Sequence, residues 1–466
     1  MTDEQLPEPS GPSDRATVVD APERAAAEVR PRRRPLGPSY RKLFGATVVS
    51  NLGDGMAMVA YPWLASAVTR NPILVALVAV TQRLPWLLFT LPAGVITDRI
   101  DRRRAMVSMD VVRFAITLLV AFAVLGAQGT LPGPDDVESV TGTRFGLYAV
   151  VLIATLLLGM AEVLRDNSAQ TILPNIVAAD QLEKANGRMW SVEGVTNTFL
   201  GPPFGSILLL VAFSLPFFVD AATFFVAAAL VFLIPGSFRA DRSDQPKQTF
   251  REELSEGVRW LMGHPLLRPM AIILGLMNGA MMIAMAPIVL FAQEVLDVGP
   301  LLFTILFFGS AVGGLIGGNV APAVSTRLGS GTSLAIALGG LAISPALIGL
   351  IAWWPAVLVL LGIEAFLGIL WNVITVSLRQ TIIPEHLLGR VNSVYRFFAW
   401  GMMPIGAAIG GVLVFLVEGL ADRDLALRST WFAVAVVHAG LFLFGRAKLT
   451  TEKLEAARAA ATQPAS

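Results

Sequence analysis

The sequence predicts an all-α membrane protein with twelve transmembrane helices in two halves of six. Three observations predict this fold class: long apolar runs follow one another from Leu43 onward, basic residues gather in alternate loops, and a short motif recurs in both halves. The composition agrees, because 55% of the 466 residues are apolar and only 15% are charged, whereas soluble domains carry about 25% charged residues. The composition therefore excludes an ordinary soluble enzyme.

Composition also excludes several kinds of site. The chain has no cysteine, which excludes disulfides, thiolate metal sites and cysteine nucleophiles. The histidines, at 264, 386 and 438, lie far apart in the sequence, so we expect no metal site. The G-x-x-x-x-G-K-[ST] motif of ATP-driven pumps is absent. The 35 basic and 34 acidic residues nearly balance and give no indication of nucleic-acid binding. We expect neither catalysis nor a bound cofactor.

Each predicted span offers about 20 mostly apolar residues, the length that crosses the hydrocarbon of a bilayer. Residues 1–40 are rich in proline and charge, which predicts a disordered tail. The two halves, 41–234 and 266–446, are joined by a linker at 235–265 and followed by a second tail at 447–466. We expect the spans at 43–67, 73–97, 104–126, 145–168, 186–211 and 215–234, and at 267–291, 299–324, 332–353, 355–378, 390–416 and 428–445.

The placement of charge predicts the orientation independently. Arginine and lysine cluster before the first span, at 99–104, in the linker and after the last span, while the loops between them are acidic or neutral. Because basic residues mark short cytoplasmic loops, we expect both termini in the cytoplasm and the protein in the plasma membrane. An even number of spans requires the same arrangement.

The two halves share a motif that indicates duplication. The sequence QTILP at 170–174 recurs as QTIIP at 380–384, after the fourth span of each half. Duplicated halves related by an axis along the membrane normal place their substrate site between them, near mid-membrane. In the linker, apolar residues of 249–262 recur at helical spacing, which predicts an amphipathic helix on the membrane surface; a partner-binding helix is the alternative.

The loop after the second span, GVITDRIDRRR at 94–104, resembles the signature G-x-x-x-D-[RK]-x-G-[RK]-[RK] of the major facilitator superfamily. Asp101 stands where the family has glycine, and the matching residues are Gly94, Asp98, Arg99, Arg102 and Arg103. The resemblance implies a cytoplasmic gate. In it, Asp98 accepts hydrogen bonds from a helix N-terminus of the other half, and the arginines pair with Asp166. A loop that is merely positive is the alternative.

Further residues narrow the resemblance. The stretches at 109–113, 166–174 and 182–186 are similar to the secretion-effector branch, which includes the enterobactin exporter and macrolide-efflux-like proteins. The resemblance covers residues 40–445. In the fifth span, Gly201, Pro202 and Gly205 resemble the G-P-x-x-G core associated with exporters, although Ser206 replaces its last glycine. A plain Gly-Pro kink is the alternative.

Charged side chains inside a bilayer are costly and usually functional. Depth, counted at about 1.5 Å per residue, places Asp54 and Arg83 near mid-membrane, where we expect Asp54 to carry the coupled proton. A permanently ionised Asp54–Arg83 pair is the alternative. Glu364, also near the middle, is the second candidate. Nearer the cytoplasmic surface lies a set expected to complete the gate: Asp110, Arg113, Glu162, Arg165 and Asp166.

The remaining candidates for a substrate cavity are flexible methionine, aromatic and asparagine side chains. Methionine adapts its shape to varied apolar ligands, and such a cavity suits a lipophilic molecule better than a sugar. Each of these side chains can equally serve plain helix packing. The candidates are Tyr61, Asn278, Met281, Met282, Met285, Trp371, Asn372 and Trp400.

Together these features predict a monomeric secondary transporter. We expect it to export a lipophilic or amphipathic small molecule, such as a drug, siderophore or secondary metabolite, in exchange for protons and by alternating access. Its expected partners are the small molecule and the lipid bilayer, without nucleic acid. Two alternatives remain: an uptake permease or uniporter of the same fold, and a membrane sensor or scaffold that transports nothing.

Overall fold

The computed structural model describes residues 36–97, 99–133, 136–239 and 250–462. Most of these residues are helical, and none of them forms a strand. Eleven helical segments are long and apolar enough to cross a membrane, and the shorter apolar helix Pro72–Leu88 supplies the remaining span. The predicted twelve-helix membrane fold is confirmed.

The described residues of the first half form eight α-helices, because two of its six spans are interrupted. The second span breaks at Phe89, and the fifth contains a π-helical turn at Gly194–Leu200. Pro202 and Pro203 follow that turn, and because proline has no N–H the regular hydrogen-bond ladder cannot continue through them. The helices are α1 (Pro38–Val68), α2 (Pro72–Leu88), α3 (Thr90–Thr97), α4 (Arg102–Ala127), α5 (Phe145–Ile176), α6 (Leu182–Glu193), α7 (Gly201–Val211) and α8 (Leu215–Phe232).

The linker contributes one helix, α9 (Phe250–Gly263), and the second half follows it. The seventh span breaks before Ile288, at Pro287. The helices of this half are α10 (Leu267–Met285), α11 (Ile288–Glu294), α12 (Pro300–Leu328), α13 (Ser330–Leu350), α14 (Trp354–Ile382), α15 (Glu385–Glu418) and α16 (Arg423–Lys448).

A further helix, α17 (Thr451–Thr462), lies in the segment that the sequence indicates only as a tail. It packs against α13 and α14. Leu454 is fully buried there, and Thr451 Oγ1 accepts a hydrogen bond from the N–H of Gly331 at 3.0 Å. The segment after the last span is therefore docked on the second half.

We name the two ends of the bundle by residues that they carry. We call the end that carries Arg41, Arg102 and Arg446 the arginine end, and the opposite end, which carries Arg70 and Glu294, the Glu294 end. The halves contact each other through α2 against α15, α7 against α12 and α1 against α11. Two of these pairs, α1 with α11 and α7 with α12, meet toward the Glu294 end.

Candidate functional site

Asp54 of α1 forms an ion pair with Arg113 of α4 inside the first half. The same guanidinium donates a hydrogen bond to Ser50 Oγ at 3.2 Å, and its Nη1 lies 3.8 Å from Asp110 Oδ1. Arg113 is 3% exposed, whereas Asp54 is 25% exposed. The pair therefore has one buried partner and one partner that faces a cavity.

A second arginine extends this cluster of charges. Arg165 of α5 lies with its Nε 3.5 Å from Asp110 Oδ1 and its Nη1 3.4 Å from Asp166 Oδ1. These contacts are longer than the 2.7–2.9 Å or so of charge-assisted hydrogen bonds. Buried ion pairs cost desolvation energy and stabilise a fold weakly, so a chain of them points to a role beyond folding. We call Asp54, Asp110, Arg113, Arg165 and Asp166 the buried charge network.

A cavity of about 170 Å³ borders this network in the first half. Three of its lining residues are acids and two are arginines, and Tyr61 and Trp86 also line it. The alternative prediction, an ion pair of Asp54 with Arg83, is wrong, because Asp54 pairs with Arg113, although Arg83 lines the same cavity. The charged lining residues are Asp54, Arg83, Arg113, Glu162 and Asp220.

The exporter-like motif packs directly beside Asp54. A Cβ placed on Gly201 would lie 2.6 Å from the Cα of Gly55, and one on Gly205 would lie 2.8 Å from the carbonyl oxygen of Met56. Helix α7 can therefore approach α1 this closely only with glycine at both positions. Ser206, which replaces the motif's last glycine, contacts Thr304 Oγ1 of the other half at 2.5 Å. The motif thus joins the backbone around Asp54 to the second half.

The second half encloses its own cavity of about 410 Å³. Glu364 lines it, and its Oε1 has no hydrogen-bond partner among the described residues. His438, which the sequence did not indicate as a site residue, lies in the same wall. The lining also includes six residues of the seventh and tenth spans, which the sequence favours for the cavity: Met277, Asn278, Met281, Met285, Trp371 and Asn372.

Three of the predicted cavity residues lie elsewhere. Met282 packs against Ala76 and Ala407 at the contact of α10 with α2 and α15, so its placement in the cavity is wrong. It points away because successive residues of a helix face different directions. Tyr61 lines the cavity of the first half, and Trp400 lines a third cavity between the halves.

The arginines of the predicted gate loop bind backbone carbonyls within the first half. Arg102 Nη1 donates to the carbonyl of Thr171 at 3.1 Å, and Arg103 Nη1 donates to that of Ile234 at 2.6 Å. The expected pairing of these arginines with Asp166 is therefore wrong, since Asp166 contacts Arg165. Gly94 lies in α3 and Arg99 in the exposed turn after it, while Asp98 lies outside the described residues.

An interaction that the sequence did not predict joins the halves at the Glu294 end. Arg70 of the first half pairs with Glu294 of the second, and Arg423 also binds Glu294. Beside them Gln293 Nε2 donates to Ser66 Oγ at 2.9 Å. The sequence shows Arg70 at the end of the first span and Glu294 at the end of the seventh. Two opposite charges at span ends suggest a pair, but the sequence alone does not show that these two ends are neighbours.

The comparisons with known proteins agree with this architecture. The Major Facilitator Superfamily matches residues 43–407. The multidrug efflux pump Tap of Mycolicibacterium fortuitum is 27% identical over 417 residues, which cover 86% of this chain and 95% of that protein. The enterobactin exporter EntS of Salmonella typhimurium is 23% identical over 396 residues, covering 84% and 89% of the two chains.

Solved structures share the fold. A bacterial homologue of the iron transporter ferroportin in its inward-facing state has a TM-score of 0.63 at 15% identity, covering 89% of this chain and 100% of that one. The nucleoside transporter NupG has a TM-score of 0.61 at 13% identity, covering 87% and 98%. The family match spans most of the twelve helices. The chain therefore belongs to the major facilitator superfamily, a family of membrane transporters.

Proposed function

We propose that the protein exports a lipophilic or amphipathic small molecule across the plasma membrane in exchange for protons. In this proposal the arginine end and both termini face the cytoplasm, and the Glu294 end faces outward. The protein works as a monomer without a bound cofactor, and the proton gradient supplies the energy. Transport proceeds by alternating access as the two halves rock against each other.

The direction and the substrate class are supported by relatives and by the cavities. The relatives named above are a multidrug efflux pump and an enterobactin exporter. The cavity of the second half is lined largely by methionine, tryptophan and aliphatic side chains. Such a surface offers few fixed polar groups and adapts to ligands of different shape. The relatives favour export over uptake, and the cavity lining favours lipophilic molecules over sugars.

Proton coupling is supported by one observation above all, the imbalance of charge in the cavity of the first half. Asp54, Glu162 and Asp220 share this cavity with two arginines, Arg83 and Arg113. Three carboxyl groups against two guanidinium groups leave one carboxyl that can take up and release a proton without breaking the pairing of the others. Asp54 is the best placed, because it is a quarter exposed to the cavity and its partner Arg113 has a second acid, Asp110, 3.8 Å away to pair with when Asp54 is protonated.

Alternating access is supported by the contacts at the Glu294 end. The Arg70–Glu294 pair, the Gln293–Ser66 hydrogen bond and the Ser206–Thr304 contact all join one half to the other. Opening of this end must break them, because each contact has its two partners on different halves. The same contacts hold this end closed while the other end is accessible.

Flux in proteoliposomes tests the proposal. Ethidium and anilinonaphthalene sulfonate are suitable probes because their permanent charges prevent trapping by a pH gradient alone, and Nile red is a neutral third probe. With inside-out protein and an acidic lumen, we expect at least one probe to accumulate, and the accumulation to vanish when an ionophore collapses the gradient. Protein-free liposomes are the control.

Three other results would contradict the proposal and identify its rivals. Accumulation that requires an alkaline lumen would indicate an uptake permease. Faster equilibration with no uphill accumulation would indicate a uniporter. No flux of any probe beyond that of protein-free liposomes would favour a sensor or scaffold.

A further inference from the structure

A third cavity, of about 380 Å³, lies between the two halves and beside the linker helix. Trp86 of α2 and Trp400 of α15 line it from opposite halves, and Val258 and Met262 of α9 line it from the linker. Its volume falls in the range of small-molecule sites, about 300–1,000 Å³. The first half, the second half and the linker thus all contribute to this cavity. These are the parts that move relative to one another when a transporter rocks.

A pair of stacked indole rings separates this cavity from the charged one. The rings of Trp86 and Trp400 have centroids 5.4 Å apart and planes tilted by 26°. Trp86 also lines the cavity that contains Asp54 and Arg113. Trp86 therefore lies at the boundary between the cavity between the halves and the acid-lined cavity.

The lining offers aromatic faces and one charge. Phe397 is 54% exposed and Trp400 is 39% exposed, so parts of both rings are free to contact a ligand. Among the described lining residues, Arg396 is the one with a charged side chain, and it is likewise exposed. Aromatic rings stack favourably on planar ligands, and arginine recognises anionic groups such as carboxylate and phosphate through paired hydrogen bonds.

We infer that this cavity, which we call the tryptophan cavity, binds a planar aromatic molecule that carries one anionic group, with the anion against Arg396 and the rings against Trp400. As an access site for transported molecules the inference rests on the proposed function, but binding itself can be measured without transport. A molecule bound here contacts both halves, so its site changes shape when the halves rock.

Two dyes with the same rings separate the contributions of charge and stacking. Anilinonaphthalene sulfonate has the proposed chemistry, and phenylnaphthylamine is the same ring system without the sulfonate. Each is titrated into purified protein in lipid nanodiscs, with empty nanodiscs as background. We expect Arg396→Gln to raise the Kd of the sulfonate about tenfold, the loss of one charge-assisted contact, and to leave the Kd of phenylnaphthylamine unchanged. Trp400→Ala should weaken both dyes.

Matched variants control for general effects. Arg446→Gln removes an exposed arginine that lies over the ring of Phe442, and Trp190→Ala removes an exposed tryptophan; neither lines the tryptophan cavity. Both should bind the dyes as the unchanged protein does. An unchanged sulfonate Kd in Arg396→Gln, or an equal loss for both dyes, would overturn the inference. Because these are equilibrium measurements, dye binding without any flux would instead count against the proposed transport.

Discussion

Arg113 connects three helices at the level of single side chains. It pairs with Asp54 of α1, approaches Asp110 of its own helix, and lies with its Cζ 3.9 Å from the ring centroid of Phe224 in α8. A guanidinium over an aromatic face keeps its charge stabilised away from water. Arg113 thus holds Asp54 in place from a fully enclosed position.

Removal of this guanidinium should destabilise the fold strongly. Arg113→Gln leaves Asp54 and Asp110 without their shared partner, and breaking a buried pair in this way costs about 3–5 kcal/mol. Chemical denaturation in detergent measures the free energy of unfolding. The control is Asp424→Asn, which removes the 52% exposed acid of the Arg428–Asp424 pair and should cost about 0–1 kcal/mol. Equal losses in the two variants would contradict this account of the network.

The sequence indicates the buried charges as candidates but does not give their pairing. Counting residues along a span gives depth, and by depth Arg83 lies level with Asp54 while Arg113 lies nearer the cytoplasmic surface. Depth does not give the direction in which a side chain leaves its helix, nor which helices are neighbours. The packing of α4 against α8 and α5 decides that Arg113 is the partner, and only the folded bundle contains that information.

At the scale of elements, hydrogen bonds in each half join the start of its third span to the chain that follows its sixth span. In the first half Asp101, at the start of α4, accepts hydrogen bonds from Ser237 Oγ at 2.7 Å and the N–H of Phe238 at 2.8 Å. In the second half Thr451, after α16, accepts one from Gly331 at the start of α13. The two halves thus form the same connection with different residues.

Asp101 should therefore stabilise the arginine end more than an ordinary helix cap. It is buried, which raises the pKa of its carboxyl, but hydrogen bonds from Arg104, Ser237 and Phe238 and the charge of Arg103 outweigh burial and leave the pKa below its ordinary value. A depressed pKa stabilises the fold above the ordinary pKa, and the benefit is lost as the pH falls through the depressed value.

We expect Asp101→Ala to lower the free energy of unfolding by about 2 kcal/mol at neutral pH, and the difference to shrink below about pH 4. Asp422→Ala is the matched control, because Asp422 caps α16 through a bond from Leu425 at 2.7 Å and, within the part of the chain that the structure describes, makes no bond to another element. It should cost about 1 kcal/mol. If Asp101→Ala lowers the free energy of unfolding no more than Asp422→Ala does, the hydrogen bonds from Ser237 and Phe238 to Asp101 add no stability beyond the helix cap. Denaturation curves across pH supply both numbers.

Two elements, α17 and the π-helical turn, could not be predicted from sequence patterns. The twelve spans were predictable because a bilayer requires long apolar segments. Helix α17 was not, because it is short and its burial depends on one leucine, Leu454, which finds its site only on the folded second half. The π-helical turn before Gly201 was also missed, since prolines predict a break in the ladder but not the way in which it is repaired.

At the scale of the whole molecule, the two halves carry different chemistry. The first half presents acids and arginines to its cavity, the second presents methionine and tryptophan, and the tryptophan cavity lies between them. The duplication predicted one site at the interface of the halves. Among the described residues, each half instead encloses a cavity of its own, and the tryptophan cavity lies separately between the halves.

The measurement that tests the central claim most directly is proton movement during transport. Proteoliposomes that contain a trapped pH-sensitive dye receive, on one side, the probe that is transported best. The account predicts that probe flux drives protons in the opposite direction in the unchanged protein and in Asp424→Asn, and that proton movement in Asp54→Asn falls to the level of protein-free liposomes. Probe flux without proton movement in the unchanged protein, or unchanged proton movement in Asp54→Asn, would contradict the account.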